Sequence, residues 1–109
     1  MEENQALEIL GALSQETRLR IVRYLVQCGR TGASAGDVAR HVGAASSRAS
    51  FHLSNLENAG VITSERQSRS IIYMADFESL GGLIAFLLED FCGGHPDIVG
   101  GCMLPGSAK

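Results

Sequence analysis

Ser46-Ser47-Arg48-Ala49-Ser50-Phe51-His52-Leu53-Ser54-Asn55-Leu56-Glu57-Asn58-Ala59-Gly60-Val61-Ile62 is the stretch whose reading decides the fold. Ala49, Phe51, Leu53 and Leu56 supply an inward side at roughly helical spacing. Ser46, Ser47, Arg48, Ser50, His52 and Asn55 fill the first turns with short or flat hydrogen-bonding side chains. Gly60 stops the helix, because the residue past a helix C-terminus often takes a left-handed conformation that glycine tolerates. An N-terminal half this polar and this lightly charged suits the reading of base edges in the major groove of DNA. A catalytic helix would more often present one strongly titrating group.

Working towards the N-terminus, Gly43-Ala44-Ala45 reads as a tight turn. Before it, Val38, Ala39 and Val42 form the buried side of a short helix that opens on Ser34-Ala35-Gly36-Asp37, a capping-box-like start with Asp in place of Glu. Leu19, Ile21, Val22, Leu25 and Val26 predict a mostly buried helix ended by Cys28-Gly29-Arg30-Thr31-Gly32, with Ser14 as its N-cap. Ala6, Leu7, Leu10 and Leu13 mark a first amphipathic helix.

Towards the C-terminus, Ile62-Thr63-Ser64-Glu65-Arg66 and Ser70-Ile71-Ile72-Tyr73-Met74 predict two strands around the polar tip Gln67-Ser68-Arg69. Phe77, Leu80, Leu83, Ile84, Leu87, Leu88 and Phe91 then recur at spacings of three and four. Gly81-Gly82 inside that helix costs about 1 kcal/mol per Gly relative to Ala, which close helix–helix approach would offset. The expected fold is mainly α with a β-hairpin wing: a winged helix-turn-helix of four helices, two strands and a final helix. Residues 1–92 form the DNA-binding and dimerisation domain, and residues 93–109, with five glycines and two prolines, form a flexible tail. The terminal helices carry more leucine than a small core needs, which predicts a two-fold homodimer. Such a dimer places two reading helices one helical turn of DNA apart, about 34–36 Å.

The formal net charge is −3 over 109 residues, but its distribution is uneven. All eight arginines lie between Arg18 and Arg69, where the only acids are Asp37, Glu57 and Glu65. The basic centre is the phosphate-facing part, and the acidic ends keep the rest off the backbone. No apolar run reaches the roughly 18 residues that span a bilayer, and no signal-peptide pattern opens the chain, so a soluble cytoplasmic protein is expected. Three cysteines, an odd number, argue against a disulfide-stapled secreted fold.

Three segments together resemble the ArsR/SmtB family of metal- and metalloid-responsive repressors. They are Leu13-Ser14-Gln15-Glu16-Thr17-Arg18-Leu19-Arg20-Ile21-Val22, the run from Ala49 to Ile62, and the hairpin ending in Ile72-Tyr73. The likeness spans roughly residues 5 to 92 and implies a dimeric repressor that leaves its operator when an inducer binds. Carried over by position, Ser46, Ser47, Ser50 and His52 match the residues that enter the major groove. Arg66, Gln67 and Arg69 match the wing, which meets phosphates or the minor groove. Family members often have Gln at the place of Ser46 and a basic residue at that of Ser54, so an operator sequence does not carry over.

The family's sensing sites differ from this chain in instructive ways. A Cys-x-Cys pair at the start of the third helix is absent, since Ala33-Ser34-Ala35-Gly36-Asp37 has no thiol. A zinc site of Asp and His along the final helix is unsupported, because Asp76 and Glu89 have no histidine beside them there. The better match is a group whose final helix ends in a Cys-Cys-Gly-Gly-x-Pro-Glu-like run with a further cysteine soon after. Here the run is Phe91-Cys92-Gly93-Gly94-His95-Pro96-Asp97-Ile98-Val99, followed by Cys102. The resemblance therefore points to Cys92 and Cys102 as thiolate ligands of trivalent arsenic or antimony, soft ions that prefer soft donors. Two thiols suit methylarsenite, and arsenite would need a third donor such as Cys28 or water. Nine residues separate the two thiols; the length-dependent part of closing that loop costs about 2 kcal/mol. Cys28 and His41 read as structural residues, and His95 as a solvated loop histidine.

An enzyme is not expected: no nucleophile and base converge, Ser50 and His52 lie two apart on a helix, and no phosphate-cradling Gly-rich loop is present. Two other readings keep the scaffold. Cys92 and Cys102 as a redox pair would sense thiol oxidation or persulfides. A winged helix serving protein contacts alone is the other, against which the polar face of the reading helix argues.

Overall fold

Five helices and a three-stranded sheet are present in a computed structural model that describes residues 1–89. Cys92, His95 and Cys102, with the tail expected over 93–109, lie outside the described residues. The helices are α1 (Glu3–Leu13), α2 (Glu16–Cys28), α3 (Ala35–Val42), α4 (Ser46–Asn58) and α5 (Phe77–Leu87). The strands are β1 (Ala33–Ser34), β2 (Ile62–Gln67) and β3 (Ser70–Ala75). The architecture is the expected winged helix-turn-helix, with one strand added.

That strand was not legible from the chain. β1 has two residues, pairing Ala33 with Tyr73 and Ser34 with Ile72, so β3 lies in the middle of an antiparallel sheet ordered β1-β3-β2. Its approach needs Gly32, whose φ is +72° and where a Cβ would lie 2.5 Å from the Tyr73 carbonyl oxygen. Ser34 does two jobs, because its hydroxyl also accepts from the Asp37 N–H at 3.1 Å and caps α3 as expected.

The cap of α2 differs from expectation. Gln15, not Ser14, is the N-cap, its side chain accepting from the Arg18 N–H at 2.8 Å. Ser14 belongs to the end of α1, where its hydroxyl donates to the Gly11 carbonyl at 2.8 Å. The longer Gln side chain reaches the orphan N–H from a residue nearer the helix, which frees Ser14 for the preceding carbonyl.

Ile9, Ile21, Leu25, Val38, Leu53, Leu56, Val61 and Ile62 are the largest fully buried side chains, and α5 joins the same core through Leu83. Leu19 and Val26, expected inside, are exposed on α2, and so are Leu7 and Leu10 on α1 and Ile84 on α5. Leu13, Val22, Val26, Leu80, Leu83 and Ile84 help to line an open apolar groove of about 620 Å³ between α2 and α5. Gly81 faces that groove with nothing within 4 Å of its missing Cβ, whereas a Cβ on Gly82 would lie 3.2 Å from the Met1 side chain. Among the described residues no helix is long and apolar enough to cross a membrane.

Candidate nucleic-acid interface

α3, a tight turn and α4 form the helix-turn-helix. Gly43 closes α3 in the left-handed conformation, at φ +69°, and the Ala44 N–H donates to the Ala39 carbonyl at 3.0 Å. α4 then starts after Ala45 with no side-chain cap and no acid in its first turn. Its first N–H groups lack side-chain partners, and the positive end of the helix dipole is not cancelled. The first carboxylate of α4 is Glu57, at the far end, where it accepts from the Ser64 hydroxyl at 2.7 Å and ties the helix to β2.

Ser46, Ser47, Arg48 and Ser50 are all exposed, as an edge-reading face requires. Asn55 is half-buried, and its Nδ2 donates to the Phe51 carbonyl at 3.1 Å, so one of its hydrogen-bonding groups is already engaged. On the wing, Arg66 pairs with Ile71 and Gln67 with Ser70 across the β2–β3 ladder. Arg66, Gln67, Ser68 and Arg69 are exposed around the turn, where Ser68 takes φ +56°.

His52 and Phe51 exchange the places expected of them. His52 is 5% exposed and belongs to the inward side, while Phe51 is 63% exposed and stands on the outer face. The inward set is Ala49, His52, Leu53 and Leu56, residues three and four apart that match the helical period. Residue 51 falls out of that repeat. The signal was in the spacing, and hydrophobicity alone pointed the other way. A buried His52 does not present its ring to a base, so it leaves the set of candidate contacts. Its Nδ1 lies 3.4 Å from Arg18 Nη1, and its Nε2 is buried without a hydrogen-bond partner. Burial first, and the charges of Arg18 and Arg48 next, hold the imidazole below its ordinary range.

The remaining basic residues divide by environment. Arg18 points inward, its Nε donating to the Ala12 carbonyl at 2.8 Å. Arg20 pairs with Glu16 at 2.7 Å, and Arg40 pairs with Asp37. Arg20, Arg23, Tyr24 and His41 line a polar recess of about 350 Å³ beside the end of α3. There the Tyr24 and His41 rings stack at 4.0 Å and 17°. Cys28 is a half-buried free thiol; burial first, and then this thiol, push the Tyr24 hydroxyl up from its ordinary range. Among the described residues no three His, Cys, Asp or Glu side chains converge as a metal site.

Comparison with known proteins agrees with this geometry. Residues 13–65 match a helix-turn-helix domain family. The HTH-type transcriptional regulator YgaV of Escherichia coli (strain K12) is 35% identical over 88 residues, which cover 81% of this chain and 87% of that protein. An ArsR-like transcriptional regulator from Rhodococcus sp. RHA1 superposes with a TM-score of 0.72 at 27% identity, over 83% of this chain and 82% of that one. The chain belongs to the ArsR/SmtB family of winged helix-turn-helix transcriptional regulators. A second ArsR-type structure, described as a possible transcriptional regulator for arsenical resistance, is 30% identical with a TM-score of 0.64, over 77% of this chain and 83% of that one. The matched residues 13–65 take in α2, α3, the turn, α4 and the start of β2, and the β2–β3 hairpin stands where a winged helix-turn-helix has its wing.

Proposed function

We propose that this ArsR-type regulator is a two-fold homodimeric cytoplasmic repressor, released from double-stranded operator DNA when a trivalent arsenical or antimonite binds the thiolates of Cys92 and Cys102. The observation that carries the DNA half is the exposed face of Ser46, Ser47, Arg48 and Ser50, on a helix with no carboxylate before Glu57. These four side chains, with the free edge of Asn55, meet base edges and flanking phosphates in the major groove. Arg66, Gln67 and Arg69 on the wing meet the backbone or the minor groove.

Leu7, Leu10, Leu19, Val26 and Ile84 support the dimer, since they leave a large apolar surface on α1, α2 and α5. A second copy covers it and sets the distance between the two reading helices. The sensing half rests on the chemistry of two soft donors in the sequence and on the 30%-identical relative described as a possible regulator for arsenical resistance. For the inducer to weaken operator binding 100-fold it must favour the released state by about 2.8 kcal/mol.

The test is fluorescence anisotropy of the reduced protein with duplex from its own upstream region, titrated with arsenite, methylarsenite and antimonite. Release by at least one of them, lost in Cys92→Ser and in Cys102→Ser, is expected. Release by peroxide or polysulfide alone would replace the metalloid reading with thiol oxidation. An undiminished response in both variants would remove these thiols from the mechanism.

A further inference from the structure

Phe51 is the most exposed large apolar side chain among the described residues, at 63%. The others are less exposed and lie elsewhere. Leu7, Leu10, Leu19, Val26 and Ile84 lie on α1, α2 and α5, the surface assigned above to a second copy, Met1 precedes α1, and Ile71 lies on β3 beside the wing turn. Phe51 stands alone on a different helix. Ser47 and Arg48 lie one turn before it and Ser54 and Asn55 one turn after, so a single ring projects from a face of small polar groups. Its ring packs edge-on near the buried His52, centroids 5.7 Å apart at an interplanar angle of 63°.

A partner that fits this face must be anionic around an isolated apolar spot. α4 offers an uncapped N-terminus, Arg48 and no carboxylate over its first eleven residues. Within the major groove of DNA one base presents an apolar group among its hydrogen-bonding edges, namely the 5-methyl of thymine, and aromatic side chains contact it favourably. We propose that Phe51 is a specificity-determining residue that reads a thymine methyl in each operator half-site. The neighbouring serines adapt to several bases because a hydroxyl both donates and accepts. Phe51 adds a preference they lack, because its ring packs favourably only where a methyl is present and faces a polar edge where it is not. This inference rests on the DNA-reading role proposed above.

The test replaces thymine by uracil, one symmetric pair of positions at a time, in duplex from the protein's own upstream region. Uracil deletes the methyl and keeps every hydrogen-bonding group. Affinity of the full chain is measured at low salt, where phosphate interactions keep weakened complexes measurable. At one symmetric pair, removal of the methyls is expected to weaken wild-type binding about four-fold per half-site, the scale of one buried methyl group. Phe51→Ala is expected to bind the thymine and uracil duplexes equally at that pair. Phe51→Leu, which keeps an apolar side chain there, is expected to retain part of the preference. An unchanged melting temperature of Phe51→Ala is expected from its exposure.

Wild-type binding indifferent to uracil at every position overturns the assignment of Phe51. So does an undiminished thymine preference in Phe51→Ala. Failure of the wild type to bind any upstream duplex overturns the DNA-reading role itself, and the inference with it.

Discussion

Arg18 reaches from the start of α2 to the middle of α4, where its Nη1 lies 3.4 Å from Nδ1 of His52. The same guanidinium donates through Nε to the Ala12 carbonyl at 2.8 Å, so one planar fork links the end of α1, the start of α2 and the inward side of α4. An arginine does not give up its proton, so Nδ1 is the acceptor and the imidazole hydrogen sits on Nε2. That hydrogen is buried without a partner. The neutral ring fits this position, and a second positive charge beside Arg18 does not.

Stability should therefore depend on His52 protonation. The folded imidazole is held below its ordinary value, so between the folded and the unfolded values the unfolded chain binds more protons. Its contribution is full above pH about 6.5, the unfolded value, and is lost progressively as the pH falls below it. Urea unfolding at pH 7.5, 6.5 and 5.5 is expected to show falling stability, with this group supplying at most about 1.4 kcal/mol per pH unit. His52→Gln should flatten that slope. An equal slope in the variant would place the titration elsewhere.

Arg18→Ala removes the fork from both partners. A loss of roughly 1–2 kcal/mol is expected, toward the lower end for charged hydrogen bonds because Arg18 is only half-buried. Lysine has no planar fork to serve Ala12 and His52 together, so Arg18→Lys should recover little of it in the same denaturation series.

Two glycines should respond to alanine in opposite directions. Gly32→Ala puts a methyl 2.5 Å from a backbone oxygen at a positive φ, so neither the neighbour nor the dihedral can yield cheaply. A loss of about 2 kcal/mol or more is expected, with the sheet weakened at β1. Gly81→Ala sits inside α5 with open space around the new methyl, and a gain of up to about 1 kcal/mol in unfolding of the dissociated chain is expected.

Leu7 and Ile84 are each 57% exposed in the single chain, so changing them should leave its fold intact. Leu7→Ser and Ile84→Ser are expected to raise the dimer dissociation constant in sedimentation equilibrium, each buried side chain contributing about 1.5–3 kcal/mol when a second copy covers it. Unchanged self-association in both would move the interface off this surface.

If the wing arginines meet the DNA backbone, as proposed, their loss should not depend on the base sequence. Arg66→Ala and Arg69→Ala should each weaken specific and non-specific duplexes about equally. Each should also reduce the slope of log affinity against log salt by about 0.9 for every phosphate that is no longer neutralised in each subunit. Weakening confined to one DNA sequence would mean that the wing reads bases.

The chain by itself determined the order of the helices, the helix-turn-helix and the wing. Those depend on local signals: the Ser34 cap, the turn at Gly43, the stop at Gly60 and the alternation around Gln67-Ser68-Arg69. The family likeness rests on the same segments, and the exposed serines of α4 were legible for the same reason. Tertiary structure decided what local pattern does not carry. β1 forms because β3 offers a free edge opposite Ala33 and Ser34, a pairing across about forty residues that two residues cannot announce. The three-and-four spacing of Ala49, Leu53 and Leu56 already puts position 52 inward and 51 outward. What the fold added is the Arg18 guanidinium beside a neutral imidazole, which lets a histidine take a buried place that hydrophobicity alone would give to a phenyl ring.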